Sequence, residues 1–239
     1  MAIYALADLH LAISDPDKSM EVFGNGWQDY MTLIRENWEK TVRCDDTVLM
    51  PGDLSWAMYL EKAHEDFDYI NSLPGHKLIG RGNHDYWWTT VSKMEKIFEK
   101  EGFDTISFIR NNAVTVEDSL VTGTRGWKLP SDAGFNAEDR KIHDRELIRL
   151  KLCLDQLSNA DPDHKLRHIV MLHYPPITRK CTSTAFSELL ENANVDLCIY
   201  GHLHGLAHNN AYEGEAPGGN PLIYKCVAAD FLRFKPLEL

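Results

Sequence analysis

No apolar run in this sequence approaches the ~20 residues that a membrane-spanning helix needs. The first residues, Met1-Ala2-Ile3-Tyr4-Ala5-Leu6-Ala7, lack a basic n-region and are cut short by Asp8, so they read as a buried strand and not as a leader. Paired cysteines are missing as well. Cys44, Cys153, Cys181, Cys198 and Cys226 are odd in number, widely spaced and without a CxxC. That speaks against a zinc knuckle or a disulfide framework and suits reduced thiols, with a cytoplasmic location expected. Cationic charge is short: 25 Lys and Arg against 36 Asp and Glu leave a formal charge of −11. A broad nucleic-acid surface or an anionic membrane is thereby disfavoured. An anionic substrate at a locally positive site is not. There is no internal repeat, low-complexity tract or linker, so residues 1–239 are read as one domain with its own core. Nothing in the sequence specifies the oligomeric state.

What is present is an alternation. Strands are expected over 3–7, 47–50 and 77–79, and helices over 28–42, 58–72 and 89–100, a pattern that points to parallel βαβ units. Short, closely spaced strand candidates at 105–108, 113–116 and 119–123 suggest a local antiparallel meander. A charged helix over 137–157, a strand over 168–172, a helix over 183–192 and a strand over 195–200 follow. A closing strand is expected over 222–228. Residues 11–27 are polar and irregular, with Asp15-Pro16-Asp17 and Gly24-Asn25-Gly26 as turn signals.

Five of the apolar runs end in the same kind of residue: Asp8 and His10, Asp53, Asn83 and His84, His173, and His202 and His204. Each alone has a plain explanation as a cap, a turn residue or a packed imidazole. Together they form a donor set. In an extended segment residues i and i+2 point to one side, so Asp8-x-His10 and His202-x-His204 could each grip one ion. Parallel strands end at one edge of a sheet, which would bring all five groups into one crevice. Two carboxylates, a carboxamide and four imidazoles without a thiolate suit Mn, Fe, Zn, Co or Ni better than a Ca or Mg cage. Seven donors exceed what one ion uses, so two ions sharing a carboxylate are expected. Two divalent ions outweigh Asp8, Asp53 and a bridging hydroxide by about one charge, so the centre would attract an anion.

In this order, Asp8-x-His10, Gly52-Asp53, Gly82-Asn83-His84-Asp85, His173 and Gly201-His202-x-His204 resemble the calcineurin-like metallophosphoesterase superfamily. Gly-Asp alone is nearly worthless as a signal; the ordered set, spanning most of the chain, is specific. The resemblance implies an α/β fold, a four-layer sandwich of two mixed β-sheets flanked by helices. It implies that Asp8, His10 and His204 hold one metal, that Asn83, His173 and His202 hold the other, and that Asp53 bridges them. The cofactors would be two divalent or trivalent transition-metal ions, Mn or Fe ahead of Zn. His84 would contact the substrate phosphate and protonate the leaving oxygen, the usual work of an imidazole near neutral pH. Asp85 would either orient His84 or cap the next helix.

Departures narrow the reading. Leu54-Ser55-Trp56 follows Gly52-Asp53 where protein Ser/Thr phosphatases carry a further Asp-Arg-Gly, which argues against a phosphoprotein substrate. A small organic phosphate ester is expected, a phosphodiester ahead of a monoester, cleaved by the metal-bridging hydroxide. Arg81 and Arg125 could bind a phosphate or carboxylate of the substrate, or be ordinary ion-pair partners. Residues 11–27 could overhang the site. Trp56, Tyr86, Trp87, Trp88, Trp127 and Tyr174 lie near motif loops and could stack on a base, with core packing expected for most. The competing class is a non-catalytic scaffold on the same fold, like the retromer subunit that resembles these enzymes; such proteins typically lose ligands or the acid histidine, and here none is lost. An amide hydrolase is disfavoured by the absence of Glu near the motifs.

Overall fold

In chain order the elements are β1 (Ile3–Ala5), α1 (Tyr30–Thr41), β2 (Thr47–Met50), α2 (His64–Ser72), β3 (His76–Ile79), α3 (Val91–Glu101), β4 (Ile106–Phe108), β5 (Ala113–Val116), β6 (Ser119–Thr124), α4 (Ala137–Ala160), β7 (Arg167–Leu172), α5 (Ala185–Asn192), β8 (Leu197–Tyr200), β9 (Gly214–Glu215), β10 (Ile223–Cys226) and β11 (Leu237–Glu238). The computed structural model describes residues 1–239, the side chain of Asn25 excepted.

The strands form two mixed sheets, ordered β11-β1-β2-β3-β4 and β5-β6-β7-β8-β10-β9. β1 to β4 run parallel, as do β6, β7, β8 and β10. The antiparallel strands β11, β5 and β9 sit at sheet edges.

Side chains alternate across a strand, and here both faces are covered. On β2, Val48 and Met50 face the helices while Leu49 faces the other sheet. On β7, Val170 and Leu172 face helices while Ile169 and Met171 face the first sheet. Three buried clusters result: helix against sheet, sheet against sheet, and sheet against helix. This is the expected four-layer α/β sandwich. The helices dock by stripes of the 3.6-residue period, Tyr30, Ile34 and Trp38 on α1 and Leu150, Leu154 and Leu157 on α4.

Three sequence expectations are corrected. The meander does not form: β4 pairs in parallel with β3 in the first sheet, and only β5 and β6 make a hairpin in the second. Ile106 and Phe108 pack with Phe98 of α3 in the helix-side core, which draws that segment away from its neighbours in sequence. The helix expected from 58 starts at His64, after a separate 3-10 turn, Leu60–Lys62. The strand expected over 222–228 does not close the chain. The two-residue β11 does, pairing with β1.

Candidate metal centre

The donor-bearing loops follow β1, β2 and β3 of one sheet and β7 and β8 of the other. The strand ends therefore converge from two facing sheets, not along the edge of one. Nor are the i, i+2 pairs extended. Asp8, His10, Asp53 and His202 all have positive φ, at 59°, 46°, 53° and 72°. For non-glycine residues this left-handed backbone costs on the order of 1–3 kcal/mol each and collects at functional sites. Tight loops, not extended strands, turn these side chains inward.

Glycine makes the close approach possible. A Cβ on Gly82 would stand 2.0 Å from Oδ1 of Asp53, and one on Gly201 would stand 2.2 Å from Oδ2 of Asp8. Each glycine precedes a candidate ligand, Asn83 or His202, so the loop backbone can lie directly on a carboxylate. The amide of His84 donates to Oδ1 of Asp53 at 2.7 Å, and that of His202 donates to Oδ2 of Asp8 at 3.0 Å.

Two clusters of donors result. In the first, Asp8, His10 and His204 bring their ligand atoms together, with the Nε2 atoms of His10 and His204 facing at 3.3 Å and Oδ1 of Asp8 3.5 Å from His204. In the second, Asp8, Asp53 and His173 converge. Nε2 of His173 lies 2.8 Å from Oδ1 of Asn83 and 3.3 Å from Oδ2 of Asp53. The same Oδ2 is 3.7 Å from Nε2 of His10, so Asp53 reaches both clusters with one oxygen. The rings of His202 and His173 are 5.1 Å apart, and His202 lies 4.0 Å from Tyr174.

Asp8, Asp53, His10 and His173 are buried, and a buried carboxylate pair needs cationic partners. Burial pushes His10 down to about 4 and His202 to about 3, so both are neutral, the form that binds metal. His173 is different. Burial alone would lower it, yet Asp53 and Asp8 raise it. With Nδ1 toward the Pro51 carbonyl at 3.1 Å, it is Nε2 that Asn83 and Asp53 enclose, where two acceptor oxygens meet a nitrogen that would otherwise need a proton. A metal ion suits that position better, since it satisfies both oxygens and the imidazole at once. His204 is likewise raised, to about 10: hydrogen bonds to Asp230 and Asp8 overcome burial. The donor set fits a pair of ions.

Sequence reasoning missed Asp230. Its Oδ1 takes Nδ1 of His204 at 2.9 Å and its Oδ2 takes the Gly205 amide at 3.0 Å. The carboxylate thereby fixes the tautomer that leaves Nε2 of His204 free to ligate. The signal was present: Asp230 also follows an apolar strand end.

Asp85 neither orients His84 nor caps a helix. It is buried and accepts the amides of Asp53 and Leu54 at 2.8 Å each, the Gly82 amide at 2.7 Å and the Trp87 indole at 3.0 Å. Three of its donors are backbone amides of the two loops that follow β2 and β3, so it ties those loops together. The cap of α3 is Thr90. The His84 ring instead packs on Trp56, 4.5 Å between centroids, and its buried Nδ1 has no partner.

Trp27, from the irregular segment, packs edge-on against His10 and His204 at 6.1 and 5.5 Å, so that segment reaches the first cluster at this residue. Trp87 and Trp88 are core residues. Trp127 and Tyr174, 5.0 Å apart, instead line a cavity of about 510 Å³ that opens on His202. No helix among the described residues is long and apolar enough to cross a membrane.

This chain belongs to the calcineurin-like phosphoesterase family, whose pattern matches residues 1–206. Among solved structures it is similar to a protein of unknown function from Aquifex aeolicus, at 17% identity and a TM-score of 0.52, over 99% of this chain and 95% of that one. It is also similar to phosphopantetheinyl hydrolase from Mycobacterium tuberculosis, at 14% identity and a TM-score of 0.52, over 100% of this chain and 95% of that one. At these identities the likeness is one of fold. No curated protein matches the sequence.

Proposed function

We propose that this chain is a dinuclear metal-dependent phosphoesterase acting on a small organic phosphodiester, with monoesters second. The observation that carries the reading is the position of Asp53, whose single oxygen Oδ2 faces His173 at 3.3 Å and His10 at 3.7 Å. Asp8, His10 and His204 would hold one ion, and Asn83, His173 and His202 the other. Mn or Fe suits this nitrogen-rich, thiolate-free set, with Zn next. Such ions, when bound, supply the nucleophile and neutralise charge on the phosphoryl oxygens.

The protein's own groups do the rest. His84 stands beside the centre as proton donor to the leaving oxygen. Burial holds its imidazole below the usual value, with Asp53 acting in the opposite direction. Two aromatic surfaces flank the centre: Trp56 and Tyr86 beside His84, and Trp127 and Tyr174 beside His202. A phosphodiester has an organic arm for each, which favours it over a monoester. The 510 Å³ cavity is within the range for a small organic group.

Assays of bis-p-nitrophenyl phosphate and p-nitrophenyl phosphate with added Mn test this reading. Hydrolysis of the diester at the higher kcat/KM is expected. Absence of hydrolysis of either overturns it.

A further inference from the structure

Beside the metal centre lies a cluster of four arginines that the hydrolysis of a simple ester does not use. Arg81 follows β3, Arg110 follows β4, Arg125 follows β6, and Arg149 lies on α4. They line a small cleft together with Trp88 and Thr124. β4 is the parallel neighbour of β3, and β6 is the parallel neighbour of β7. The arginine loops therefore emerge at the same end of the sandwich as the metal-bearing loops, displaced to one side. Two links fix which side. Arg81 stands two residues before Asn83, and the carbonyl of Arg125 accepts the amides of His173 and Tyr174 at 3.0 and 2.9 Å. The cluster flanks the Asn83 and His173 half of the centre.

Its charge is not balanced. The fully buried Glu146 is the one carboxylate in ion-pair contact with the cluster among the described residues. It accepts from Arg149 and from the Thr124 hydroxyl at 2.8 Å, and its Oε1 stands 3.6 Å from the Arg125 guanidinium. Arg81 and Arg110 reach no carboxylate. The Nε groups of Arg81 and Arg125 are buried without an acceptor, which is costly for a cationic donor. The Arg125 guanidinium carbon stands over Trp127, 4.4 Å from the ring centroid, and Trp127 also lines the cavity that opens on His202. In a chain of net charge −11, this is surplus positive charge held in place by buried structure. The cleft is about 30 Å³, room for the oxygens of a head group and not for a whole ligand.

We propose that Arg81, Arg110, Arg125 and Arg149 form an anion-binding subsite that receives a second phosphate or carboxylate carried on one arm of the substrate. The inference rests on the phosphoesterase reading and sharpens it: the preferred substrate is a phosphoester bearing a further anionic group. Guanidinium pairs suit such a head group because each offers two parallel N–H donors.

Two probes with the same leaving group test this, thymidine 5′-(p-nitrophenyl phosphate) and its 3′-phosphorylated form. The 3′-phosphate is expected to raise kcat/KM at least about tenfold in the wild type, the effect of one good charged hydrogen-bond set. In Arg110→Gln and Arg81→Gln that ratio should fall toward one, and Arg110→Lys should restore part of it. Arg110 is exposed, so its replacement does not threaten folding. A wild-type ratio near one, or a ratio the variants leave unchanged, overturns the proposal. Binding is read separately from turnover by the thermal shift in sodium sulfate against chloride of equal ionic strength. Wild type should be stabilised more than Arg81→Gln or Arg110→Gln. If neither probe is hydrolysed, the phosphoesterase reading fails, and an equal sulfate shift in all three proteins then removes the anion site too. A sulfate shift confined to the wild type with a substrate ratio of one assigns the cluster to a free anion and overturns its role in substrate choice.

Discussion

Asp230 holds Nδ1 of His204 at 2.9 Å and so points Nε2 at His10 and Asp8. Removing the negative charge while keeping the shape, as in Asp230→Asn, should weaken metal binding by about 10–100-fold and leave the fold intact. Isothermal titration with Mn on the variant, beside its circular dichroism, measures both. Wild-type affinity would show that Asp230 does not position the ligand.

The raised His204 value gives a pH prediction. In the metal-free protein His204 titrates near 10, against an ordinary 6.5, and so contributes stability that is fully present below about 6.5 and lost as pH rises through about 10. An ion must displace that proton. Apparent metal affinity should therefore rise about tenfold per pH unit for each proton released, across the range from about 6.5 to 10. Proton release at pH 7, read from binding heats in buffers of different ionisation enthalpy, checks the sign. Uptake, or no release, would contradict it.

Asp85 and His84 are neighbours in sequence with separate work. Asp85→Asn turns an amide NH₂ toward backbone N–H groups and should cost roughly 3 kcal/mol, because buried donors lose their acceptor. The loss is visible as a lower Tm. His84→Ala should keep its stability and metal content while kcat falls by about 10²–10⁴. Asp53→Ala should lose metal as well. Equal metal loss in the His84 and Asp53 variants would dissolve the division of roles.

Gly82→Ala and Gly201→Ala place a methyl group inside the Asp53 and Asp8 carboxylates respectively. Each variant is expected to purify with less metal than wild type. Full metal content in either would mean that the loop can retreat without moving the carboxylate.

Much of this arrangement is legible in the sequence because a buried strand is an apolar run, and a polar residue at its end has few places to go. Asp8, His10, Asp53, Asn83, His173, His202 and His204 all stand just past such runs, and the structure gathers them at one end of the sandwich. What periodicity hides is the assignment of strands to sheets. β4 and β5 are both short edge strands with one hydroxyl residue between apolar ones, Ser107 and Thr115, so they look alike although they belong to different sheets. Asp230 escaped notice because it stands outside the motif order, and Glu146 because it sits in a charged helix whose neighbours face solvent. The role of Asp85 was hidden for another reason: its partners are backbone amides, which leave no mark in a sequence. The left-handed φ values of Asp8, His10, Asp53 and His202 were not readable either, since non-glycine residues rarely adopt them.

The most direct test of a shared two-ion centre is metal content against turnover in one preparation. The metal-free protein is titrated with Mn while bound ions per chain and bis-p-nitrophenyl phosphate hydrolysis are followed together. Two ions per chain are expected at saturation, with both lost in Asp53→Ala. Saturation at one ion, or an Asp53→Ala protein that still holds two and turns over normally, would contradict a shared centre.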